Sequence, residues 1–213
     1  MMGAMRSARI RTATPADASA IAEMILLSAE HFLPAVFGPH ARDALAALAA
    51  RSGTLFSCTH VRMADLAGRA VGMLLGYSGT EKAREDPATG YALFRFLGIS
   101  LVRALPRLLR VQRAIGGIGA EEWYVSNVAV LPRMRGHGVG HALLLDAEER
   151  ARERSAVAIV LDVETDHPAA EKLYASLGYR ILRTTRPLTL EGHAFAFRRM
   201  SKPLHPDATV GSS

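Results

Sequence analysis

Residues 125–144 read VSNVAVLPRMRGHGVGHALL. A run of β-formers, Trp123 to Val130, closes at Leu131-Pro132 and leads through a basic glycine loop into helical spacing that continues to about Arg154. Strand, loop and helix are therefore contiguous. Gly136, Gly138 and Gly140 alternate at the junction, where glycine lets the backbone approach a ligand and take unusual dihedrals. The free N–H groups of a helix start suit a phosphate, and Arg133 and Arg135 add positive charge where the helix dipole is already positive. The same spacing also fits a turn that merely links two elements. Two familiar phosphate loops are excluded: there is no GxxxxGK[ST], and GxGxxG needs glycine where His141 stands.

A second stretch, HPAAEKLYASLGY at residues 167–179, follows a buried strand expected over Ala156 to Val163. Together the two stretches resemble the GNAT superfamily of N-acetyltransferases. The acyl-CoA-binding pattern Q/R-x-x-G-x-G/A is met by Arg135, Gly138 and Gly140, preceded by V-A-V-x-P in Val128 to Pro132. The pattern N-x-x-A-x-x-L-Y-x-x-x-G-F/Y is met by Ala170, Leu173, Tyr174, Gly178 and Tyr179, with His167 in place of the usual asparagine. The resemblance covers about residues 8–77 and 120–201. It implies an α+β fold, an α/β three-layer architecture with a central mixed, mostly antiparallel sheet of about seven strands flanked by helices. Residues 1–202 then form one domain, with 78–119 a helical insertion between the third and fourth strands and 203–213 a disordered tail.

The resemblance further implies acetyl-CoA as co-substrate and a primary amine as acceptor; the other reading is a non-catalytic module that binds acyl-CoA, or meets a membrane or a partner through the basic amphipathic insertion. The pantetheine arm would lie between the parted fourth and fifth strands, against Val128, Ala129 and Val130. The pyrophosphate would sit on the amides of Gly136, His137, Gly138, Val139, Gly140 and His141, closed by Arg135, with His167 and Tyr174 also at the cofactor. Tyr174 is the expected proton donor to the leaving sulfur, the other reading being a buried aromatic on the inner face of its helix. Glu121 and Glu122 are candidate bases for the incoming ammonium. They point to opposite faces of a strand, and Glu122, in phase with Tyr124 and Val128, is favoured; a solvated strand end is the other reading. Ser126 and Asn127 are positioned to order water instead.

Elsewhere the expectations are local. Ala8 to Thr12 reads as a strand, TPAD starts a helix that keeps its spacing through Ser28 towards Pro34, and a second helix fits Pro39 to Arg51. Thr54 to Met63 and Ala70 to Tyr77 read as a hairpin, and Arg180 to Arg186 with His193 to Met200 as another around Glu191-Gly192. The stretch EKAREDPATG reads as a charged loop. The segment after it, drawn as one helix, gathers Arg95, Arg103, Arg107, Arg110 and Arg113 opposite most of its leucines, with Pro106 kinking or splitting it.

Composition bounds the rest. The 213 residues are 49% hydrophobic and 22% charged, which excludes wholesale disorder, collagen and a pure coiled coil. The net charge of +6, nearly all arginine, favours anionic partners. One cysteine, Cys58, forms no internal disulfide and fits a reducing cytoplasm. Neither a signal peptide nor a membrane span is expected, nor is a nucleic-acid partner, since no recognised motif accompanies the charge. The leucine-rich insertion also suits a homodimer. No metal is expected: His137 and His141 are four apart, but the glutamate position of HExxH is Gly138 and no third ligand is evident. Cys58 and His60 share one strand face without an orienting acid in sequence.

Overall fold

The computed structural model describes residues 8–204 apart from 191, with the side chains at 35–37, 99, 100, 103, 104 and 107 outside that description. In chain order the elements are β1 (Arg9–Thr12), α1 (Ala18–Ser28), α2 (Phe32–Phe37), α3 (Ala41–Ala49), β2 (Val61–Leu66), β3 (Arg69–Ser78), α4 (Gly79–Leu97), α5 (Ile99–Ile115), β4 (Glu122–Val130), α6 (Val139–Glu153), β5 (Ala158–Glu164), α7 (Pro168–Ser176), β6 (Arg180–Thr184), β7 (Leu188–Leu190), β8 (His193–Phe195) and β9 (Phe197–Pro203). Seven strands form one sheet in the order β1-β2-β3-β4-β5-β9-β6, and β7 with β8 makes a separate ribbon. Every neighbouring pair in the large sheet is antiparallel except β4 with β5.

Two apolar clusters, one on each face of this sheet, make the three layers. On one face Ile21 and Ile25 of α1 and Leu45 and Leu48 of α3 pack over Met63, Met73, Leu75 and Ala129. On the other, Leu143, Leu144 and Ala147 of α6 and Tyr174 of α7 pack over Val125, Ile159, Leu161 and Met200. The apolar spacing of α1 explains its placement, since Ile21, Met24 and Ile25 fall on one helical stripe and are all buried.

Five local readings are corrected. The stretch read as a charged loop is the first half of α4: Ser78 and Glu81 form a capping box, with the Ser78 N–H donating to Glu81 Oε2 at 2.8 Å and the Glu81 N–H to Ser78 Oγ at 3.1 Å. The following segment breaks at Gly98, whose φ of +51° is open to glycine, whereas Pro106 lies inside α5. The arginines therefore do not share one helix, since Arg95 belongs to α4; the side chains of Arg103 and Arg107 are outside the described ones. Residues 54–60 are not extended. Ser57 caps a 3-10 turn over Cys58–His60 by accepting the Thr59 N–H at 3.2 Å, and the strand starts at Val61. In the C-terminal hairpin β6 pairs with β9, while β7 and β8 pair in a short separate ribbon, and Glu191 of the expected turn lies outside the described residues. The expected disordered tail falls at 203–213, of which 205–213 lie outside the described residues.

The expected α1–Pro34 helix is also interrupted, with α2 beginning at Phe32. α4 and α5 cover the α1 face of the sheet. Leu101, Leu108, Val111 and Ile115 of α5 pack against the α1–α3 cluster. Two arginines hold the end of α5: Arg183 of β6 donates to the carbonyls of Ala114 and Ile115, and Arg199 of β9 donates to Gly117 O at 2.6 Å.

Candidate active site

β4 and β5 part in mid-sheet. Their parallel register runs from Glu122↔Ala158 to Val125↔Leu161 and stops, although β4 continues to Val130 and β5 to Glu164. On its other edge β4 is paired with β3 from Trp123 to Val130, with a register shift at Ser126. Because the Leu131 N–H donates to Val71 O at 2.9 Å, antiparallel alternation aims the N–H and C=O groups of Asn127 and Ala129 at β3 and those of Val128 and Val130 into the gap. The Arg135 Nε–H reaches back to Val130 O at 3.3 Å, across the mouth of that gap.

The loop after β4 exposes donors. The first bond of α6 runs from the Ala142 N–H to Gly138 O at 3.0 Å, and among the described residues the six N–H groups from Gly136 to His141 have no hydrogen-bond partner. Gly136 and Gly138 make this shape, with φ of +78° and +76° and open space where a Cβ would stand. Gly140 has a different reason: a Cβ there would stand 3.0 Å from Leu173 Cδ2, so it lets α6 and α7 pack closely. His137 turns inward on the loop, its Nδ1 2.9 Å from the Arg135 carbonyl, while Val139 is buried under the helix start. A row of unpaired amides at a helix N-terminus beside two arginines has the chemistry that suits a phosphorylated ligand, and this donor set fits the pyrophosphate of a coenzyme A thioester.

Tyr174 projects from α7 into the same layer and is buried, its ring 6.0 Å from that of Tyr179. Its hydroxyl makes no hydrogen bond to a described residue, and burial alone pushes its pKa up to about 12. His167 caps the start of α7 without a side-chain bond and is exposed. Glu164, Asp166 and His167 bring one ligand atom each within 4.8 Å of one another in a mostly exposed group that includes neither His137 nor His141.

The opposite face of the gap carries residues that the sequence patterns did not single out. Leu75 pairs with Asn127 and Gly76 with Val125, so Ser126 is a surplus residue in β4. This bulge corrects the phase: Trp123 and Val125 share the α6 face with Val128 and Val130, while Tyr124 and Glu122 share the α1 face with Ala129. Glu122 is thus in phase with Tyr124 but not with Val128. There the Tyr124 hydroxyl donates to Asp162 Oδ2 at 3.2 Å, and Arg199 holds both oxygens of Asp162, Nε at 3.1 Å and Nη2 at 2.7 Å. Burial, and then the Asp162 charge, raise Tyr124 well above the ordinary tyrosine value. Tyr77 is pushed up to about 12 by burial. Asn127 Nδ2 donates to Ser28 Oγ at 2.8 Å, joining β4 to α1.

Glu122 stands at the closed end of β4, about 13 Å along the strand from Ser126, and its Oε2 accepts the Gly119 N–H at 2.7 Å. Glu121 lies beside it at the exposed strand start. Asp162, Arg199, Tyr77 and Ser28 escaped sequence reading because they come from four separate elements; the one available signal was an acid inside the otherwise apolar strand IVLDV. The pair Cys58 and His60 does gain an acid, since His60 Nε2 lies 2.7 Å from Glu85 Oε2 of α4. His60 and Glu85 are both buried and fasten α4 to the sheet, while the Cys58 thiol bonds neither of them.

The description Acetyltransferase (GNAT) family matches residues 28–179. The acetyltransferase Atu2258 of Agrobacterium fabrum is 36% identical over 115 residues, 51% of this chain and 82% of that protein. An N-acetyltransferase from Staphylococcus aureus Mu50 superposes with a TM-score of 0.68 at 18% identity, over 92% of this chain and 100% of the other. The yncA acetyltransferase of Salmonella typhimurium, solved with its cofactor acetyl-CoA, gives 0.59 at 18% over 98% and 100%. With its parted β4 and β5, its glycine loop and a family match over most of its length, the chain belongs to the GNAT acetyltransferases.

Proposed function

We propose that the protein moves an acetyl group from acetyl-CoA directly to a primary amine, with the two substrates approaching the β4–β5 gap from opposite faces of the sheet. The observation that carries this is the row of six unpartnered amides from Gly136 to His141, opening beside the outward edge of Val128 and Val130. Those amides and Arg135 hold the pyrophosphate. Val128, Ala129 and Val130 line the pantetheine arm, and His167 and Tyr174 border it from α7.

Acetyl-CoA supplies a thioester carbonyl, at which a C–N bond forms as the C–S bond breaks. Tyr174 gives its proton to the departing sulfur, and its burial keeps that proton in place at neutral pH. Glu122 takes the proton of the arriving ammonium through intervening water along Tyr124. It is favoured over Asp162 because Arg199 and Tyr124 occupy both Asp162 oxygens, whereas Glu122 Oε1 makes no hydrogen bond to a described residue. The acceptor meets the α1 face, walled by Ser28, Tyr77, Asn127 and the end of α5.

A calorimetric titration with acetyl-CoA, and in parallel with CoA, tests the cofactor site; micromolar binding is expected, and silence at millimolar ligand removes it. Thiol release with a panel of amines then tests the transfer. A Glu122→Gln enzyme with an unchanged pH profile removes Glu122 from the scheme.

A further inference from the structure

α5 carries three stripes. Leu101, Leu108, Val111 and Ile115 face the α1–α3 cluster. Val102, Leu105 and Leu109, spaced by three and four residues, form a neighbouring stripe that faces water, 51%, 48% and 42% exposed. Arg110 and Arg113, both exposed, lie on the far side of that stripe. The helix sequence ISLVRALPRLLRVQRAI holds four arginines and no acid, a large part of the chain's net +6. In α4, the other arm of the hairpin, Tyr91 and Phe94 are 67% and 50% exposed, with Arg95 beside them.

We propose that this hairpin rests on the surface of a phospholipid bilayer rich in anionic headgroups, with α5 lying flat. Val102, Leu105 and Leu109 enter the acyl boundary while Arg110 and Arg113 meet the headgroup phosphates, the arrangement that suits an apolar stripe beside a basic one. A second copy of the chain fits less well, because a twofold contact sets each arginine stripe against its own like. A nucleic acid would neutralise the arginines and leave the apolar stripe in water. No helix among the described residues is long and apolar enough to cross a membrane, so the contact is peripheral. The carbonyl contacts of Arg183 and Arg199 fix the end of α5 to the sheet, so the stripe is presented on a rigid base. The amide loop before α6 belongs to the layer beyond the sheet and stays in water.

The test is co-sedimentation of the full chain with vesicles of mixed phosphatidylcholine and phosphatidylglycerol, against vesicles of phosphatidylcholine alone. Binding to the mixed vesicles only is expected, weakening in about 1 M salt. Arg110→Gln/Arg113→Gln should lower the partition about 30-fold, at roughly fivefold per arginine. Leu105→Gln/Leu109→Gln, which leaves the charge intact, should lose about tenfold or more, with unchanged acetyl-CoA affinity reporting an intact fold. Full binding by the leucine variant would reduce the contact to charge adsorption and overturn the proposal. So would no binding to mixed vesicles at low salt, or a dimer in sedimentation velocity that the leucine variant dissolves.

Discussion

The two faces of β4 are built in opposite ways. On the α6 face the groups proposed to meet a phosphate come from one unbroken stretch, 130–141, and most of them are backbone. On the α1 face Ser28, Tyr77, Tyr124, Asp162 and Arg199 arrive from five elements and act through side chains. A site made of backbone amides depends on conformation, which a few glycines encode locally; a site made of side chains depends on tertiary packing, which no short motif encodes. Within one family this division leaves cofactor chemistry common and acceptor chemistry open.

The largest effect is expected from Gly138→Asp. It puts a side chain on a residue with φ of +76° and an anion among the six free amides, so calorimetry should find no acetyl-CoA binding. Normal binding would break the comparison at its first term. Next is Arg199→Leu, which strips the partner from an Asp162 side chain only 2% exposed. Unfolding in urea should show a loss of about 3–5 kcal/mol, mostly regained in Asp162→Leu/Arg199→Leu. A third effect belongs to the junction of the faces: Tyr174→Phe should lower kcat about 100-fold and leave acetyl-CoA affinity unchanged. The same residue has a pH signature. Its folded pKa of about 12 is raised above the ordinary 10, so its contribution to stability is full below pH 10 and is lost as pH climbs through 12. In Tyr174→Phe that alkaline loss should shrink. The smallest effect is Ser28→Ala, which removes the 2.8 Å bond to Asn127 and should cost about 1 kcal/mol in the same urea titration.

The strand, glycine loop and helix at 123–154 were legible because their signals are local: β-formers, alternating glycines, then helical spacing. Tyr174 was legible from its motif. The first half of α4 was not, because EKAREDPATG is polar and contains Pro87, while its buried positions Glu85 and Thr89 are satisfied by partners far away, His60 and the Leu55 N–H at 2.9 Å. The break at Gly98 lost out to Pro106 because a proline is the stronger breaker by propensity, yet tertiary packing tolerates it within α5. The phase of Glu122 is not legible in the sequence because strict alternation assumes an uninterrupted strand, and nothing in WYVSNVAV announces that Ser126 is surplus.

That one additional residue lets β4 behave as two half-strands with opposite senses of inside and outside. The upstream half hides its indole under α6 and turns its phenol to the α1 side; the downstream half reads the other way, giving its valines to one layer and Ala129 to the other. Length at this point is therefore more tightly constrained than chemistry. Exchanging Ser126 for another small residue keeps the frame, whereas deleting it would rotate everything upstream by half a turn, drive Trp123 toward α1 and pull Tyr124 away from Asp162. Any transplant of an acceptor wall onto this scaffold must count residues across position 126 before it considers their identity.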